Sequence, residues 1–211
     1  PDGLGPGKPS SSQRPFPETH ARTHAPTPTP PASSLARALQ VAGDGDCGVT
    51  FKRGAKAVLG LVAAKTLESC GAALGYGALA DAVSASMGGT SGALLEIFFR
   101  AAKLHLMQAG GGQASQDHAG AFVAGAEKVR DIGGADRGYR TMLDALLPAA
   151  DVLKSLPPGA SQAETLKAWR EAVVAAEAGA DATKRMDALA GRSNYINKEL
   201  LATVPDPGAK A

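Results

Sequence analysis

Apolar residues recur at intervals of three and four along most of the chain after residue 34, which is the period of an α-helix. The clearest case lies between Ser91 and Ala109. There one apolar stripe comprises Leu94, Leu95, Phe98, Phe99, Ala102 and Leu106. Arg100 and Lys103 fall off this stripe. The pattern predicts an amphipathic helix whose apolar face packs in a core rather than lining a cofactor site.

The same period, interrupted by glycine and proline, predicts helices throughout the region and no convincing strand. The predicted helices cover approximately residues 35–41, 48–70, 76–86, 91–109, 117–131, 140–156, 163–178 and 182–190. Residues 110–112 (GGG) and 157–159 (PPG) are predicted to be loops. The sequence therefore predicts an all-α domain of about seven or eight helices.

Residues 1–34 differ from the rest, because they hold nine of the 14 prolines and show no apolar period. Such a composition predicts a disordered or loosely polyproline-like segment. It could be a ligand for a proline-recognising domain, a solvated tail, a transit-like leader or the product of an incorrect gene start. The domain boundary is predicted here, with a tail over residues 1–34 and one domain over residues 35–211.

The amino-acid composition limits the classes of protein to which the chain could belong. The hydrophobic fraction is 44% and the aromatic fraction only 4%, which favours closely packed helices. The net charge is +2 and there is no long basic run, so no nucleic acid or anionic membrane partner is indicated. No apolar stretch reaches the length of a membrane span, and Cys47 and Cys70 form neither a disulfide framework nor a zinc site. A cytoplasmic location is expected.

Asp44 and Asp46 lie one residue apart in a glycine-rich run, GDGDCG, at residues 43–48. Neighbouring carboxylates repel each other, and a hard cation that draws oxygen from both relieves this repulsion. The expected ion is Mg²⁺. A predicted helix starts directly after these acids, at Gly48, so its unpaired backbone N–H groups would lie beside the metal. That arrangement suits a polyphosphate.

Two further segments place glycines or hydroxyls before a helix. Residues 87–92 (MGGTSG) could admit a phosphate to a helix start without obstruction by side chains. An ordinary N-cap by Thr90 or Ser91 explains the same residues. In residues 138–144 (GYRTMLD), Thr141 offers a hydroxyl and Met142 a thioether that could lie against an adenine ring. Met142 in the core of a plain helix start is an equally good interpretation.

Two segments near the end of the chain are further candidates for a binding site. Residues 191–195 (GRSNY) offer a cation, Arg192, after a helix, and residues 206–209 (DPGA) offer a rigid turn. Both are also ordinary surface features. The chain has no phosphate-binding loop of the G-x-x-x-x-G-K-[ST] type, and its four histidines lack the spacing of zinc ligands.

Taken together and in this order, the segments GDGDCG, MGGTSGAL, YRTMLDAL, AGRSNY and DPGA resemble the nucleotide-binding (DhaL-type) domain of dihydroxyacetone kinases. The resemblance runs from about residue 35 to residue 211. Within the family, the chain looks most similar to the single-chain, ATP-dependent enzymes. Those enzymes phosphorylate dihydroxyacetone (glycerone) or glyceraldehyde, and some also cyclise FAD to cyclic FMN. The resemblance implies an antiparallel barrel of eight helices that binds ATP or ADP with Mg²⁺ at one end.

The resemblance also implies a site. Asp44 and Asp46 would bind magnesium and are the candidate catalytic residues. The residues implied to contact the nucleotide are Cys47, Gly48, Val49 and Thr50 at the phosphates, Thr90 and Ser91 opposite them, Gly133, Thr141 and Met142 at the nucleoside, Arg192 as a counter-charge, and Asp206, Pro207 and Gly208 at the border.

In this family a separate domain or subunit holds the ketose, and nothing in these 211 residues resembles that domain. The resemblance therefore implies a ketose-binding partner and a small-molecule substrate, and it leaves a homodimer open. Positioning and charge neutralisation would carry the phosphoryl transfer, since that reaction asks for little covalent chemistry from the protein.

The sequence departs from the family pattern at two places. A family acid falls on Leu39 here, so one of three metal carboxylates is replaced, and the proline-rich residues 1–34 stand where the first helix of the barrel belongs. That helix is therefore expected to be missing or replaced. Two hypotheses follow. The chain is the ATP-binding catalytic domain of a dihydroxyacetone kinase, or it is a catalytically impaired remnant that binds a nucleotide or a partner protein. Leu39, which stands in place of the acid, is the residue that distinguishes between the two hypotheses.

Overall fold

The computed structural model describes residues 47–112 and 114–211. Within these ranges the chain forms nine α-helices and no strand. The helices are α1 (Cys47–Ala63), α2 (Thr66–Ser69), α3 (Ala72–Ser86), α4 (Gly89–Gln108), α5 (Ser115–Gly133), α6 (Leu143–Lys154), α7 (Gln162–Ala182), α8 (Lys198–Leu201) and α9 (Pro207–Lys210). Two 3₁₀ helices, Thr183–Arg185 and Arg192–Tyr195, lie between α7 and α8. The prediction of an all-α fold is confirmed for these residues.

Local signals explain where several helices begin and end. At the start of α7, the Ser161 hydroxyl accepts a hydrogen bond from the Glu164 N–H at 3.3 Å, and the Glu164 carboxylate accepts one from the Ser161 N–H at 2.8 Å. This reciprocal pair satisfies two N–H groups that the helix leaves free. Gly134 ends α5 with a φ of +67°, a left-handed conformation that glycine adopts at little cost.

Helices that follow one another in the chain pack side by side, from α3 to α4, α5, α6 and α7, while α1 packs against α3. Only Met87 and Gly88 connect α3 to α4, so these neighbours run antiparallel. The main cluster of buried residues comprises Phe98, Ala126, Val129, Met142, Leu143, Leu147 and Ala150. All residues of the predicted α4 stripe are buried or half-buried, and Arg100 is exposed. The prediction that this stripe packs in a core is confirmed.

Two predicted helices differ from the structure within the described residues. The helix predicted over residues 48–70 is broken after Ala63, where Lys65 has a φ of +54° and α2 begins at Thr66. The helix predicted over residues 182–190 is wrong. After the short 3₁₀ helix, Met186 is extended, and the Leu189 N–H donates to the Tyr139 carbonyl at 3.2 Å. A tertiary hydrogen bond therefore replaces the helical one.

Several predictions fall outside the described residues. These are the tail over residues 1–34, the short helix over residues 35–41, the missing first helix of the barrel, Leu39, and the acids Asp44 and Asp46. Among the helices that are described, none combines the length and hydropathy needed to cross a bilayer.

Candidate functional site

A cavity of about 740 Å³ lies where the N-terminal ends of α1, α4, α6 and α9 come together. The end of α5 and the segment around Gly191 complete its wall. The lining residues are Cys47, Thr50, Arg53, Gly88, Gly89, Thr90, Ser91, Leu94, Gly133, Ala135, Arg140, Thr141, Met142, Leu143, Ala190, Gly191, Ser193, Asp206, Pro207 and Gly208. Of these helices, α1 and α4 have no acidic residue in the first turn, so their starts favour a negatively charged ligand.

The starts of α1 and α4 form the polar side of this cavity. Neither helix has an acidic residue in its first turn, and α4 begins after Gly88 without a side-chain cap. The first N–H groups of α4 therefore lack the partner that a capping side chain provides. Thr50, Thr90 and Ser91 add hydroxyls. This side can donate several hydrogen bonds to an anion.

Gly88 and Gly89 keep that side accessible. A Cβ atom added at either residue would meet no other atom within 4 Å, and Gly89 has a φ of +67°. Side chains at these positions would project into open space at the helix start, and a left-handed φ is costly for residues other than glycine. The two glycines thus let a ligand approach the backbone of α4 directly.

The wall formed by the end of α5 and the start of α6 is less polar. Met142 is 8% exposed and belongs to the main core cluster, and it also lines the cavity. The Leu143 N–H donates to the Thr141 hydroxyl at 3.2 Å, so the threonine holds the first turn of α6 in place. Both interpretations of Met142 are therefore compatible, since it packs in the core and bounds the cavity.

Asp206, Pro207 and Gly208 form the C-terminal wall. Asp206 caps α9 by accepting a hydrogen bond from the Ala209 N–H at 3.0 Å, and Pro207 occupies the first helical position. A Cβ added at Gly208 would lie 3.1 Å from the Asp206 carboxylate and 3.6 Å from the Met142 Cβ. The absence of a side chain lets α9 pack against the start of α6.

Two buried residues of opposite charge, Arg140 and Asp206, lie at this wall. The Arg140 side chain is fully buried, and its Nη1 lies 3.7 Å from an oxygen of the Asp206 carboxylate. Burial raises the pKa of Asp206 and lowers the pKa of Arg140. Because desolvation is the largest cause at both residues, the attraction between these two charges compensates only partly for their removal from water.

The raised pKa of Asp206 gives a testable pH dependence. A carboxyl whose pKa is higher in the folded state binds a proton more readily when the protein is folded. The stability of the fold therefore falls as the pH rises from the pKa of the unfolded state, near 3.8, through the pKa of the folded state. Asp206→Asn keeps the cap and does not titrate. We expect the free energy of unfolding of the wild type, relative to that of the Asn variant, to decrease over this range in urea titrations. If the difference in unfolding free energy between the two proteins stays constant with pH, the pKa of Asp206 is not raised.

The structure brings most of the described site residues together. Cys47, Thr50, Thr90, Ser91, Gly133, Thr141, Met142, Asp206, Pro207 and Gly208 all line the one cavity. Gly48 and Val49 lie in the first turn of α1 but do not line it, and Val49 is 59% exposed. The side chain of Arg192 is outside the described part, although Gly191 and Ser193 on either side of it line the cavity. Asp44 and Asp46 are outside the described residues.

The sequence patterns missed three polar lining residues. Arg53 lies about one turn after Thr50 in α1 and donates to its hydroxyl at 3.3 Å, so helical spacing could have identified it. Ser193 belongs to a segment that was singled out for its arginine. No local signal identifies Arg140, because an arginine in a predicted loop or helix start usually faces solvent.

Carboxylates suitable for a metal are scarce in the part of the cavity that is described. No group of three or more His, Cys, Asp or Glu residues there could hold a metal ion. The Asp206 carboxylate already pairs with Arg140 and accepts the capping hydrogen bond of α9. Asp46 directly precedes Cys47, which lines the cavity, so the chemistry of the predicted acids fits a cation placed at the start of α1.

Comparison with known proteins identifies the family. The DAK2 domain model matches residues 41–211, and the chain therefore belongs to the DAK2 domain family. Mouse triokinase/FMN cyclase is 42% identical over 177 residues, covering 82% of this chain and 28% of that protein. Yeast dihydroxyacetone kinase 2 is 36% identical over 176 residues, covering 80% of this chain and 28% of that protein. The chain thus spans under a third of the length of these relatives.

The fold agrees with a solved structure. The dihydroxyacetone kinase of C. freundii matches with a TM-score of 0.64 and 29% identity, over 96% of this chain and 36% of that one. A second structure of that enzyme, in complex with AMP-PNP and Mg²⁺, matches with a TM-score of 0.61. The predicted resemblance and the DhaL-type helical fold are confirmed.

Proposed function

We propose that the chain is the ATP-binding domain of a dihydroxyacetone kinase, and that it transfers phosphate from Mg-ATP to dihydroxyacetone or glyceraldehyde held by another domain or subunit. The observation that carries the proposal is the cavity itself. It gathers most of the described residues that the family resemblance implies at the nucleotide, and several helix starts converge on it. Relatives named as dihydroxyacetone kinases and triokinases add support.

The phosphates would lie against the starts of α1 and α4. The backbone N–H groups of these turns and the hydroxyls of Thr50, Thr90 and Ser91 would donate hydrogen bonds to phosphate oxygens. Arg53 also lines the cavity and keeps a positive charge there. These donors are fixed by helices, so they need little rearrangement when charge moves during transfer.

The nucleoside would lie against the less polar wall. Gly133 ends α5 and lines the cavity without a side chain that would occupy it. Met142 offers a polarisable thioether for contact with that ring. Pro207 and Gly208 would border the ribose side without bulky groups. The two walls therefore suit the two parts of an adenine nucleotide.

Asp44 and Asp46 would hold Mg²⁺ between the protein and the phosphates. When bound, Mg²⁺ neutralises phosphate charge and orients the transferring group. The role of the chain is to keep two carboxylates directly before α1, whose start lies at the cavity.

Phosphate transfer tests the proposal. The chain would be mixed with Mg-ATP, dihydroxyacetone and the isolated ketose-binding domain of a related dihydroxyacetone kinase, with transfer followed by isotope-labelled phosphate. We expect transfer only when all components are present. Absence of transfer together with tight, Mg²⁺-dependent ADP binding would favour the impaired remnant instead. Absence of both would contradict the nucleotide site.

Leu39 distinguishes the active domain from the remnant most directly. The Leu39→Asp variant restores a carboxylate where the family has one, and loss of a metal carboxylate can cost several kcal/mol of transition-state stabilisation. We therefore expect the variant to transfer phosphate about tenfold faster or more than the wild type, measured with the same partner domain. Leu39→Asn is the matched control, since it is polar but uncharged. Equal rates for all three proteins would show that the third acid is unimportant.

A further inference from the structure

Arg140 is a charged residue that the proposed function does not use. It is 1% exposed, and it adopts a left-handed backbone conformation with a φ of +61°. Such a conformation is unfavourable for a residue with a side chain unless the surroundings enforce it. Arg140 is thus a buried and strained arginine at the wall of the cavity.

The guanidinium connects segments that are distant in the chain. Its Nη2 donates to the Leu201 carbonyl at 3.0 Å and to the Val204 carbonyl at 2.8 Å. Its Nη1 donates to the Ser193 hydroxyl at 3.2 Å and lies 3.7 Å from the Asp206 carboxylate. One planar group thus holds the segment after Gly191 and the segment that leads into α9.

Both of these segments form part of the cavity wall. Ser193 and Asp206 line the cavity themselves, and Arg140 directly precedes Thr141 and Met142 on the opposite wall. The Asp206 N–H also donates to the buried Thr183 hydroxyl at 2.7 Å, which ties the same segment to the end of α7. The spacing between the nucleoside wall and the C-terminal wall therefore depends on Arg140.

The energetics argue against a role in stability alone. The Nε of Arg140 is buried and has no hydrogen-bond partner, and its carboxylate neighbour is at the long end of an ion pair. A buried ion pair of this quality returns little stability for its desolvation. The rigid fork of the guanidinium does, however, fix several acceptors in a set geometry, which the compact ammonium of lysine on its flexible stem does not impose.

We infer that Arg140 is a positioning residue for the nucleotide: it sets the C-terminal wall against Thr141 and Met142, so that the cavity is preformed for its ligand. This inference rests on the proposed function. Because preorganised walls avoid the cost of ordering on binding, loss of the fork should weaken nucleotide affinity.

The test compares Arg140→Lys with Arg137→Lys. Arg137 lies in the same loop, but it is about half exposed and pairs with the exposed Asp151, so it serves as a matched control. With Mg²⁺ and ADP as the probe, calorimetry on Arg140→Lys should give a Kd about tenfold higher or more than that of the wild type. Arg137→Lys should bind like the wild type. An Arg140→Lys Kd within about twofold of the wild-type value would overturn the inference.

Hydrogen exchange without nucleotide separates this inference from the proposed function. We expect the amides of Thr203, Val204, Asp206 and Gly208 to exchange faster in Arg140→Lys than in the wild type or Arg137→Lys. A wild type that fails to bind ADP would overturn the proposed function, while the exchange measurement still decides whether Arg140 holds this wall. Unchanged exchange would contradict the inference. A purely structural role would lower the melting temperature but leave the Kd of the folded protein unchanged.

Should Arg140→Lys fail to fold, Ser193→Ala decides the matter, because it removes one acceptor of the guanidinium and little volume. We expect about threefold weaker ADP binding, because one contact of the guanidinium is lost while its others remain, and faster exchange at the amides of residues 203, 204, 206 and 208. If affinity and exchange both match the wild type, the inference is wrong.

Discussion

Replacing Asp44 and Asp46 together with alanine should abolish the rise in melting temperature that Mg²⁺ with ADP produces in the wild type. At a nucleotide concentration of about 100 times Kd, binding contributes about 2.7 kcal/mol, or roughly 5 to 10 °C for a domain of this size. The two acids would carry the metal that joins the phosphates to the protein. Differential scanning fluorimetry with and without Mg²⁺ measures this change.

The matched control is the double variant Glu171→Ala, Glu177→Ala. It also removes two carboxylates, but from exposed positions of α7 that do not line the cavity. It should keep the full Mg-ADP shift. A shift that persists in Asp44→Ala, Asp46→Ala would show that the metal site is placed wrongly, and phosphate transfer by that variant would contradict the catalytic assignment as well.

Gly179→Ala should destabilise the protein by more than about 3 kcal/mol, because it overpacks a contact between two helices. A Cβ at Gly179 in α7 would collide with the Asp144 carbonyl oxygen, and it would lie 3.0 Å from the carbonyl carbon and 3.3 Å from Pro148 Cγ. Backbone atoms cannot move aside as a flexible side chain can. Asp144 in turn accepts hydrogen bonds from the Gly138 and Thr141 N–H groups, so the cavity wall should loosen too.

Gly60→Ala makes the same chemical change in α1, where an added Cβ would meet nothing within 4 Å. It should stabilise the protein by about 0.5 to 1 kcal/mol, since alanine is favoured over glycine inside a helix. Urea denaturation of both variants measures the difference. Similar stabilities for Gly179→Ala and Gly60→Ala would rule out the close crossing of α6 and α7.

The helices that pack through a regular apolar stripe could be predicted from the sequence, and α4 is the clearest example. Phe98, Ala102 and Leu106 recur on one face and are buried. The break at Lys65 could not be predicted, because no glycine or proline marks the left-handed residue. The helix expected over residues 182–190 failed for a different reason. There the Leu189 N–H donates to the Tyr139 carbonyl while the Leu189 side chain is 58% exposed, so a tertiary backbone hydrogen bond takes the place of the helical one.

Many residues that line the candidate cavity could be named from the sequence, because they lie in short motifs that resemble those of the family. Thr90 and Thr141 are examples that line the cavity. The hydrogen-bond network of Arg140 could not be predicted. Arg140 finds its partners Ser193, Leu201 and Val204 between 53 and 64 residues further along the chain, where no local pattern connects them.

The central claim is that the cavity between the starts of α1, α4, α6 and α9 binds an adenine nucleotide with magnesium. A crystal structure of the protein grown with Mg²⁺ and ADP tests it most directly. We expect the phosphates at the starts of α1 and α4, the adenine beside Met142, and the metal on Asp44 and Asp46. Nucleotide bound elsewhere, with both aspartates turned into solvent, would contradict the account.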